Sequence, residues 1–542
     1  MSSSATPSIT LRDLSFAWPD GRVALSQVSG TFGVGRTSLI GDNGAGKSTL
    51  LRLIAGRLEP SSGSITTTGE VGYLRQTLIL DGSATVAELL GIDAQLRALR
   101  AIEAGDVDVR HFDAIGDDWD IESRAADALH ELGFPSLGLD RRVEALSGGE
   151  AMLIAITGLR VRRTPITLLD EPTNNLDRET RAKVAALVAS WPGTLVVVSH
   201  DRDLLELVDE TAELHDGRLT VFGGPFSAWR EHLDREQQAA IQAARSAEQA
   251  LKVERRQREE AEVKLARRER TGRSTKQQGG IPRILAGNRA SRAQVSAGGL
   301  RAGADARVQA ARAAVDAASS RVRTEEHVHL VLPDPEVPRS RRLAELYGHE
   351  RGFVLQGPER VALVGPNGIG KTTLLDQLVH GTEPTPGRPY GRLITDRVGY
   401  LTQRLDGLDD ERSALENVAH RAAGLSPGEI RNQLARLLLR GDSVERPVST
   451  LSGGERFRVA LAGLLLAEPP AQLLVLDEPT NNLDLRTVDQ LVDALADYRG
   501  ALLVVTHDRD FLERAGFDTL LELDAAGELH ERPVPRGPGA DQ

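Results

Sequence analysis

Short, mostly apolar runs of four residues recur in two regions of this chain and alternate with longer segments of helical pattern. The runs include Ile166–Leu169, Leu195–Val198, Val361–Val364, Leu473–Leu476 and Leu502–Val505. Runs of this length are typical of parallel strands that are covered on both faces. Strands of this kind that alternate with helices predict two modules of α/β fold, each built on a parallel sheet.

A different pattern fills the region between the two modules. Residues 226–268 lack Gly and Pro and are rich in Ala, Glu, Gln and Arg, a composition that favours a helix. Residues 271–288 contain Gly272 and Pro282 among other breakers, and a second helical stretch continues to about residue 328. We therefore predict an antiparallel hairpin of two helices, the first roughly 60 Å long at ~1.5 Å per residue.

These changes of pattern divide the chain. The first module comprises residues 1–225, the linker residues 226–334 and the second module residues 335–530, and residues 531–542 form a Pro/Gly-rich tail that we expect to be disordered. A length of 542 residues has room for about three or four domains of ordinary size.

Composition narrows the class of protein. The absence of Cys excludes disulfides, thiolate zinc sites and a cysteine nucleophile. The sequence has no run of 18 apolar residues that could form a membrane helix, and Met1–Pro7 lacks the charged head and apolar core of a signal peptide. These features predict a cytoplasmic protein.

Charge is unevenly distributed along the chain. The formal net charge of −12 argues against nucleic-acid binding over the whole surface. Residues 251–310 nevertheless carry 15 Lys and Arg against 6 Asp and Glu. We interpret the linker as an element with a basic tip that faces a polyanion, and a passive charged spacer is the alternative interpretation.

The same four motifs occur in the same order in both modules. They are Gly41–Thr49, Leu146–Glu150, Leu168–Asp177 and Ser199–Asp201 in the first module, and Gly365–Thr373, Leu451–Glu455, Val475–Asp484 and Thr506–Asp508 in the second. The spacing from Asp170 to His200 and from Asp477 to His507 is 30 residues in both. A duplicated series with equal spacing predicts two ATP sites.

Gly41–Thr49 and Gly365–Thr373 are predicted phosphate loops. Their glycines let backbone N–H groups turn toward phosphate oxygens at the start of a helix. Lys47 and Lys371 are expected to contact the β- and γ-phosphates, and the Ser48 and Thr372 hydroxyls to hold Mg²⁺. The predicted nucleotide-binding residues are Gly41, Asn43, Gly44, Gly46, Lys47, Ser48 and Thr49, with Gly365, Asn367, Gly368, Gly370, Lys371, Thr372 and Thr373.

Paired carboxylates follow two of the predicted strands. Asp170 and Asp477 end these strands and are candidates for the magnesium shell. Glu171 and Glu478 come next and are candidate bases for the attacking water, because water must lose a proton as it attacks at neutral pH. The alternative role for these glutamates is to cap a helix.

Two further polar residue types recur in both modules. His200 and His507 follow apolar strands and are predicted to donate a hydrogen bond to the γ-phosphate, although a lone His is more often structural. Gln76 and Gln403 each follow a Val-Gly-Tyr-Leu run and are candidate ligands of Mg²⁺ or of its water.

The Leu-Ser-Gly-Gly-Glu segments supply a second predicted anion clamp. A hydroxyl and glycine N–H groups at the start of a helix can hold a phosphate. If the helix belongs to a separate helical subdomain, head-to-tail packing of the modules would set each clamp on the other module's γ-phosphate. The predicted clamp residues are Ser147, Gly148 and Gly149, with Ser452, Gly453 and Gly454.

Together these residues resemble the ATP-binding cassette superfamily, and the duplicated Glu-Pro-Thr-Asn-Asn-Leu-Asp form with its charged linker resembles the ABC-F class. The resemblance implies an α/β fold of two P-loop NTPase nucleotide-binding domains joined by a helical hairpin. It implies that the protein hydrolyses ATP and that its cofactors are ATP and Mg²⁺. It also implies binding to the 70S ribosome, with linker residues 264–292 directed to rRNA and the P-site tRNA near the peptidyl transferase centre. Within the class, the linker is loosely similar to those of antibiotic-resistance members.

The sequence departs from that pattern in three places. Trp18 stands where the family stacks an aromatic ring on adenine, whereas Tyr347 is only the nearest candidate in the second module. The first signature continues as Ala151-Met152-Leu153, unlike Arg456-Phe457-Arg458 in the second. A longer gap between motifs places an insertion near residues 96–120 that resembles a reduced arm subdomain. The two ATP sites are therefore expected to be unequal.

Three functions compete at this point. The first is a ribosome-associated ABC-F ATPase, which protects against a drug or rescues stalled complexes. The second is the ATPase subunit of an exporter whose membrane part is a separate chain. A DNA-repair ATPase is disfavoured because the zinc modules of that relative need cysteines.

Overall fold

The computed structural model describes residues 6–76, 83–215, 217–277, 283–322, 330–481 and 483–534, and most of 268–297 by backbone alone. Residues 1–226 and 327–542 form one compact unit, which contains both modules, and residues 227–326 form another.

The first module is built on a six-stranded sheet of order β5-β6-β7-β3-β8-β9, in which all neighbours are parallel except β8 and β9. A three-stranded antiparallel sheet of order β2-β1-β4 accompanies it. The strands are β1 Ile9–Ala17, β2 Val23–Phe32, β3 Gly35–Ile40, β4 Ser62–Thr67, β5 Val71–Leu74, β6 Ile166–Asp170, β7 Thr194–Val198, β8 Glu210–His215 and β9 Arg218–Gly223.

Helices cover both faces of this sheet. Val196 packs with Phe32 and Leu50 on one face, and Val197 packs with Leu153 and Leu187 on the other. The predicted two-sided burial of the strands is thus confirmed. The helices are α1 Lys47–Ile54, α2 Val86–Leu90, α3 Asp93–Glu103, α4 Val109–Ile115, α5 Ile121–Glu131, α6 Gly148–Val161, α7 Arg178–Ala189 and α8 Arg202–Leu205.

The second module repeats this arrangement and confirms the predicted α/β class. Its sheets have the orders β14-β15-β16-β12-β17-β18 and β11-β10-β13. The strands are β10 Arg342–Tyr347, β11 Gly352–Gln356, β12 Arg360–Val364, β13 Tyr390–Leu393, β14 Val398–Leu401, β15 Leu473–Asp477, β16 Ala501–Val505, β17 Thr519–Leu523 and β18 Leu529–Arg532. The helices are α11 Lys371–His380, α12 Ala414–Arg421, α13 Pro427–Arg436, α14 Gly453–Leu465, α15 Leu485–Ala496 and α16 Arg509–Arg514.

The helical subdomains of the two modules differ in size. Helices α3 and α4 of the first module occupy the predicted insertion near 96–120, and the second module has α13 alone between α12 and its signature helix α14. The insertion is thus helical, with Leu96 and Ile115 buried and Phe112 and Trp119 partly exposed.

The linker contains two long helices, α9 Phe226–Gln277 and α10 Arg283–Ser319. Arg258 pairs with Asp305 at 2.7 Å, and Arg307 lies 4.0 Å from Glu254. These opposed registers make the two helices antiparallel.

The limits of these helices correct one prediction. The first linker helix continues through Thr271 and Gly272 to Gln277, and the second begins at Arg283, so the interruption is shorter than the predicted 271–288. A single glycine costs a helix only about 1 kcal/mol, which the helix-favouring residues around Gly272 offset. Residues 278–282, where the predicted turn falls, lie outside the described residues.

The ends of the second module also differ from the prediction. Leu330, assigned to the linker, is buried in the core of the second module, and its N–H donates to Asp497 at 2.9 Å. Strand β18 runs to Arg532, two residues beyond the predicted end of the module. The remainder of the predicted tail, residues 535–542, lies outside the described residues.

Candidate active sites

Each phosphate loop joins a central strand to a helix, as the motif requires. Strand β3 ends at Ile40 and α1 begins at Lys47, and β12 and α11 bracket the second loop in the same way. Gly41 has φ 152°, and a side chain there would collide with the Leu214 carbonyl. Gly46, with φ 98°, is the left-handed residue that starts α1. These positions require glycine because the backbone conformation and the space both exclude a Cβ.

The two loop lysines are buried and hold their loops in shape. Lys47 Nζ donates to the Gly41 and Asp42 carbonyls at 2.6 and 3.1 Å. Lys371 Nζ donates to the Gly365 and Pro366 carbonyls at 2.7 and 2.9 Å. Burial lowers the pKa of both lysines, and the nearby carboxylates, first among them Glu171 and Glu478, oppose this change. A cation is thus set under each loop where phosphate would lie.

Two of the predicted magnesium ligands, Ser48 and Asp170, lie next to each other in the first site. Ser48 Oγ donates to Asp170 Oδ1 at 2.9 Å, and the Tyr73 hydroxyl donates to Asp170 Oδ2 at 3.2 Å. Burial raises the pKa of Asp170, and the Ser48 and Tyr73 hydroxyls partly offset this effect.

In the second site both carboxylate oxygens of Asp477 are buried and have no hydrogen-bond partner of normal geometry. Burial raises the pKa of Asp477, and the nearby Thr372 hydroxyl opposes this rise. The described residues include no group of three His, Asp or Glu that could hold a metal alone. One carboxylate and one hydroxyl fit Mg²⁺, which keeps waters and takes phosphate oxygens as further ligands.

A glutamate and a histidine face each other in both sites. Glu171 and Glu478 have φ 52° and 47°, a left-handed conformation just after a strand. Glu171 Oε1 lies 3.1 Å from His200 Nε2, and Glu478 Oε1 lies 3.4 Å from His507 Nε2. Glu171 Oε1 and His507 Nε2 are nevertheless buried without a hydrogen-bond partner. Because buried polar atoms normally form hydrogen bonds, these two atoms are available to bind a polar group that enters the cavities.

Burial sets the charge of these side chains. It raises the pKa of Glu171 and of Glu478 to about 7, against the opposing effect of the loop lysines. It lowers the pKa of His200 and of His507 to about 3, and the loop lysines lower it further. The histidines are therefore neutral at neutral pH, while the glutamates titrate near pH 7.

Each phosphate loop borders a cavity, and the two cavities differ. The first, about 640 Å³, is lined by Trp18, Lys47, Gln76, Glu171 and His200 among others. The second, about 340 Å³, is lined by Lys371, Gln403, Asp477, Glu478 and His507 among others.

Aromatic residues mark a further difference between the cavities. Trp18 packs edge-on against Phe16 and borders the first cavity. Tyr347 instead stacks on Tyr390 with ring centres 4.8 Å apart, and its hydroxyl donates to Glu345 at 2.8 Å. Tyr347 is not among the described residues that line the second cavity.

The signature segments start helices, as the sequence predicts. Ser147 and Ser452 cap α6 and α14, and each forms a reciprocal capping box with the glutamate three residues on, Glu150 or Glu455. Gly148, Gly149, Gly453 and Gly454 form the first turns of these helices. None of these clamp residues is among the described residues that line either cavity.

Contacts between the modules were not predicted residue by residue. Asn43 N–H donates to Asp484 Oδ2 at 2.7 Å, and Asn367 Nδ2 donates to the Asn175 carbonyl at 3.0 Å. The phosphate loop of each module therefore meets the segment that follows Glu-Pro-Thr in the other. These mutual contacts set the modules head to tail, which the repeated Asn-Leu-Asp ending could have signalled.

Arginines add ion pairs across the same interface. Arg486 Nη1 donates to Asp42 Oδ2 at 2.9 Å. Arg202 pairs with Asp489 at 2.8 Å and with Asp510 at 3.0 Å. The positions that these arginines occupy carried no motif in the sequence.

Comparison with known proteins identifies the family. A family model described as ABC transporter matches residues 25–174 and 351–481. The tylosin resistance ATP-binding protein TlrC of Streptomyces fradiae is 33% identical, over 91% of this chain and 94% of that protein. The energy-dependent translational throttle protein EttA of Mycobacterium tuberculosis is 28% identical, over 91% and 87%.

Solved structures share the fold. The RNase-L inhibitor matches with a TM-score of 0.55 at 19% identity, over 96% of this chain and 90% of that chain. No described helix is both long and apolar enough to cross a membrane. With two matched modules and relatives of this kind, the chain belongs to the ATP-binding cassette superfamily and is an ATPase of its ABC-F class.

Proposed function

We propose that this protein is a cytoplasmic ATPase that binds the 70S ribosome and protects translation against an antibiotic that acts near the peptidyl transferase centre. Its linker tip, residues 264–292, would contact rRNA and the P-site tRNA. The observation that carries this proposal is the combination of two ATP sites in one interface with a pair of long basic helices. The tylosin resistance and translational throttle relatives support it.

The two cavities suit ATP bound with Mg²⁺. Lys47 and Lys371 would neutralise the phosphates, and the loop N–H groups would orient them. Ser48 with Asp170, and Thr372 with Asp477, would hold the metal, which when bound neutralises charge on the phosphates. Gln76 and Gln403 border the cavities and could bind its water shell.

Glu171 and Glu478 would act on the water that attacks the γ-phosphate. Each is buried at a cavity wall, and a pKa of about 7 makes a carboxylate a stronger base than one in water. His200 and His507 are neutral, so one ring N–H can donate to the γ-phosphate without adding charge.

The module interface links nucleotide to conformation. Asn43 in the first loop is bound by Asp484, and Asn367 in the second by Asn175. Any change in a loop that accompanies loss of the γ-phosphate would therefore act on the opposite module. We propose that ATP holds the modules together and that hydrolysis releases them.

The linker supplies the polyanion contact. Residues 251–310 carry 15 basic and 6 acidic residues, and Lys and Arg that contact phosphates release counterions. A passive spacer would not require this excess of positive charge.

Sedimentation with ribosomes tests the proposal. The variant with Glu171→Gln and Glu478→Gln should co-sediment with 70S ribosomes in ATP and dissociate as salt is raised. Binding to membranes rather than ribosomes would instead support the second function, the ATPase subunit of an exporter.

Deletion of residues 271–288 tests the linker. The shortened protein should hydrolyse ATP at a near-normal rate, because the cavities are lined by module residues. It should no longer protect an in vitro translation reaction against a peptidyl-transferase drug. Full protection by the shortened protein would make the linker a spacer.

A further inference from the structure

Helices α7 and α15 occupy equivalent places in the two modules but carry different charged residues. Each has twelve residues and follows a capping aspartate, Asp177 or Asp484. The fourth residue of the helix is Arg181 in the first module and Val488, which is buried, in the second. The helices are otherwise capped alike, so this exchange gives the two interfaces different chemistry.

Arg181 is fixed by its own module. Its Nε donates to the Leu176 carbonyl at 3.0 Å, and Nη1 lies 4.0 Å from Asp201 Oδ2. Its side chain is 21% exposed. Because these two contacts hold the guanidinium, Arg181 carries a positive charge that is fixed in position, unlike the charge of a mobile surface side chain.

The guanidinium faces the second ATP site. Arg181 lines the second cavity together with Lys371, Glu478 and His507. Arg181 therefore borders the same cavity as the candidate base, the histidine and the loop lysine of the second site.

The arginines that reach the first site are arranged differently. Arg486 is paired with Asp42 of the first phosphate loop, and Arg458 of α14 lies in the field of Asp42 and Asp484. The equivalents of Arg486, Arg458 and Asp42 are Glu179, Leu153 and Pro366. At the first site, Arg486 of the opposite module is paired with Asp42 of the phosphate loop. At the second site, Arg181 of the opposite module lines the cavity together with the candidate base Glu478.

We propose that Arg181 acts across the module interface on the ATP of the second site, where it stabilises the negative charge of the transferred phosphoryl group. Water attacks the γ-phosphorus, its proton passes to Glu478, and the bond from the γ-phosphorus to the bridging oxygen breaks, which releases ADP and inorganic phosphate. A fixed cation near the equatorial oxygens favours this step. The inference rests on the role proposed above for Glu478, and it makes hydrolysis at the second site depend on the first module.

Arg181 also borders the first cavity, so the test must separate the sites. Arg181→Gln is combined with Glu171→Gln, which leaves the second site active, and with Glu478→Gln, which leaves the first. Single-turnover hydrolysis of γ-labelled ATP is measured in each background. We expect a loss of about 100-fold in the first background, the scale of one lost charge-stabilising donor, and little change in the second.

Two further variants exclude a structural explanation. Arg181→Lys keeps the charge and should restore part of the rate. Lys183→Gln removes one positive charge from the same helix, where Lys183 pairs with Glu179 at 3.0 Å, and should leave the rate unchanged. KM for ATP should change less than kcat.

Equal losses in the two backgrounds, or a raised KM with kcat unchanged, would overturn the proposal. Failure of the role of Glu478 is recognised separately. In that case the combined Glu171→Gln and Glu478→Gln protein, with Arg181 intact, would still hydrolyse ATP.

Discussion

Replacing Glu171 and Glu478 together by glutamine should change two properties that can be measured separately, the rate of ATP turnover and the stability of the protein without nucleotide. Glutamine keeps the size of the side chain and its carbonyl oxygen but cannot accept the proton of water. Turnover should fall by at least about 100-fold, the usual scale for a lost general base. This loss corresponds to about 3 kcal/mol in activation free energy.

The effect on stability follows from burial. Both carboxyl groups are only 12% exposed, and burial raises their pKa from 4.5 to about 7. Each ionised carboxylate therefore costs the folded state about 3 kcal/mol at pH 8. Because the folded pKa lies above the unfolded one, this cost is complete above pH 7 and disappears as the pH falls toward 4.5.

Glutamine avoids this cost, so each substitution should stabilise the nucleotide-free protein at pH 8 and have little effect near pH 5. The assay is denaturant unfolding in EDTA at both pH values, in parallel with steady-state ATP hydrolysis. Near-normal hydrolysis by the double variant would refute the role as base. Equal stability of wild type and variant at pH 8 would refute the argument from burial.

Three other variants test separate parts of the structure. Trp18→Ala should raise KM for ATP at the first site about 10-fold, because base stacking on an aromatic ring contributes about 1–3 kcal/mol, and site-specific labelling with an ATP analogue will measure it. Replacement of Ser452 and Gly453 should impair hydrolysis at the first site alone, as measured by trapping labelled ATP at each site separately, and a loss confined to the site of Lys371 would contradict the cross-module pairing. Gly158→Ala should lower the melting temperature, with a cost of about 1–3 kcal/mol, because its Cβ would collide with the Leu90 backbone.

The sequence alone determined the parts of this protein that depend on local backbone geometry. The apolar runs became β6, β7, β12, β15 and β16, because a strand buried on both faces must be apolar along its length. The glycines of the phosphate loops were predictable for a similar reason, since residues such as Gly41 and Gly46 have conformations that exclude other side chains. The ABC-F resemblance followed from these same local motifs.

The turn of the linker was less predictable. Gly272 and Thr271 lie within a helix, although glycine usually marks a break. Whether a helix passes a glycine depends on the sum of preferences over many residues and on packing against the neighbouring helix, such as the pairing of Arg258 with Asp305.

Only the tertiary structure decided which residues meet between the modules. Asn43 and Asp484, or Arg202 and Asp489, lie hundreds of positions apart in the chain, so no local pattern relates them. The same holds for Arg181, which belongs to no motif and is directed at the second site only because the modules pack head to tail. A motif reflects the backbone conformation that a short segment requires. The charged residues that meet across the interface depend instead on how the two separately folded modules pack.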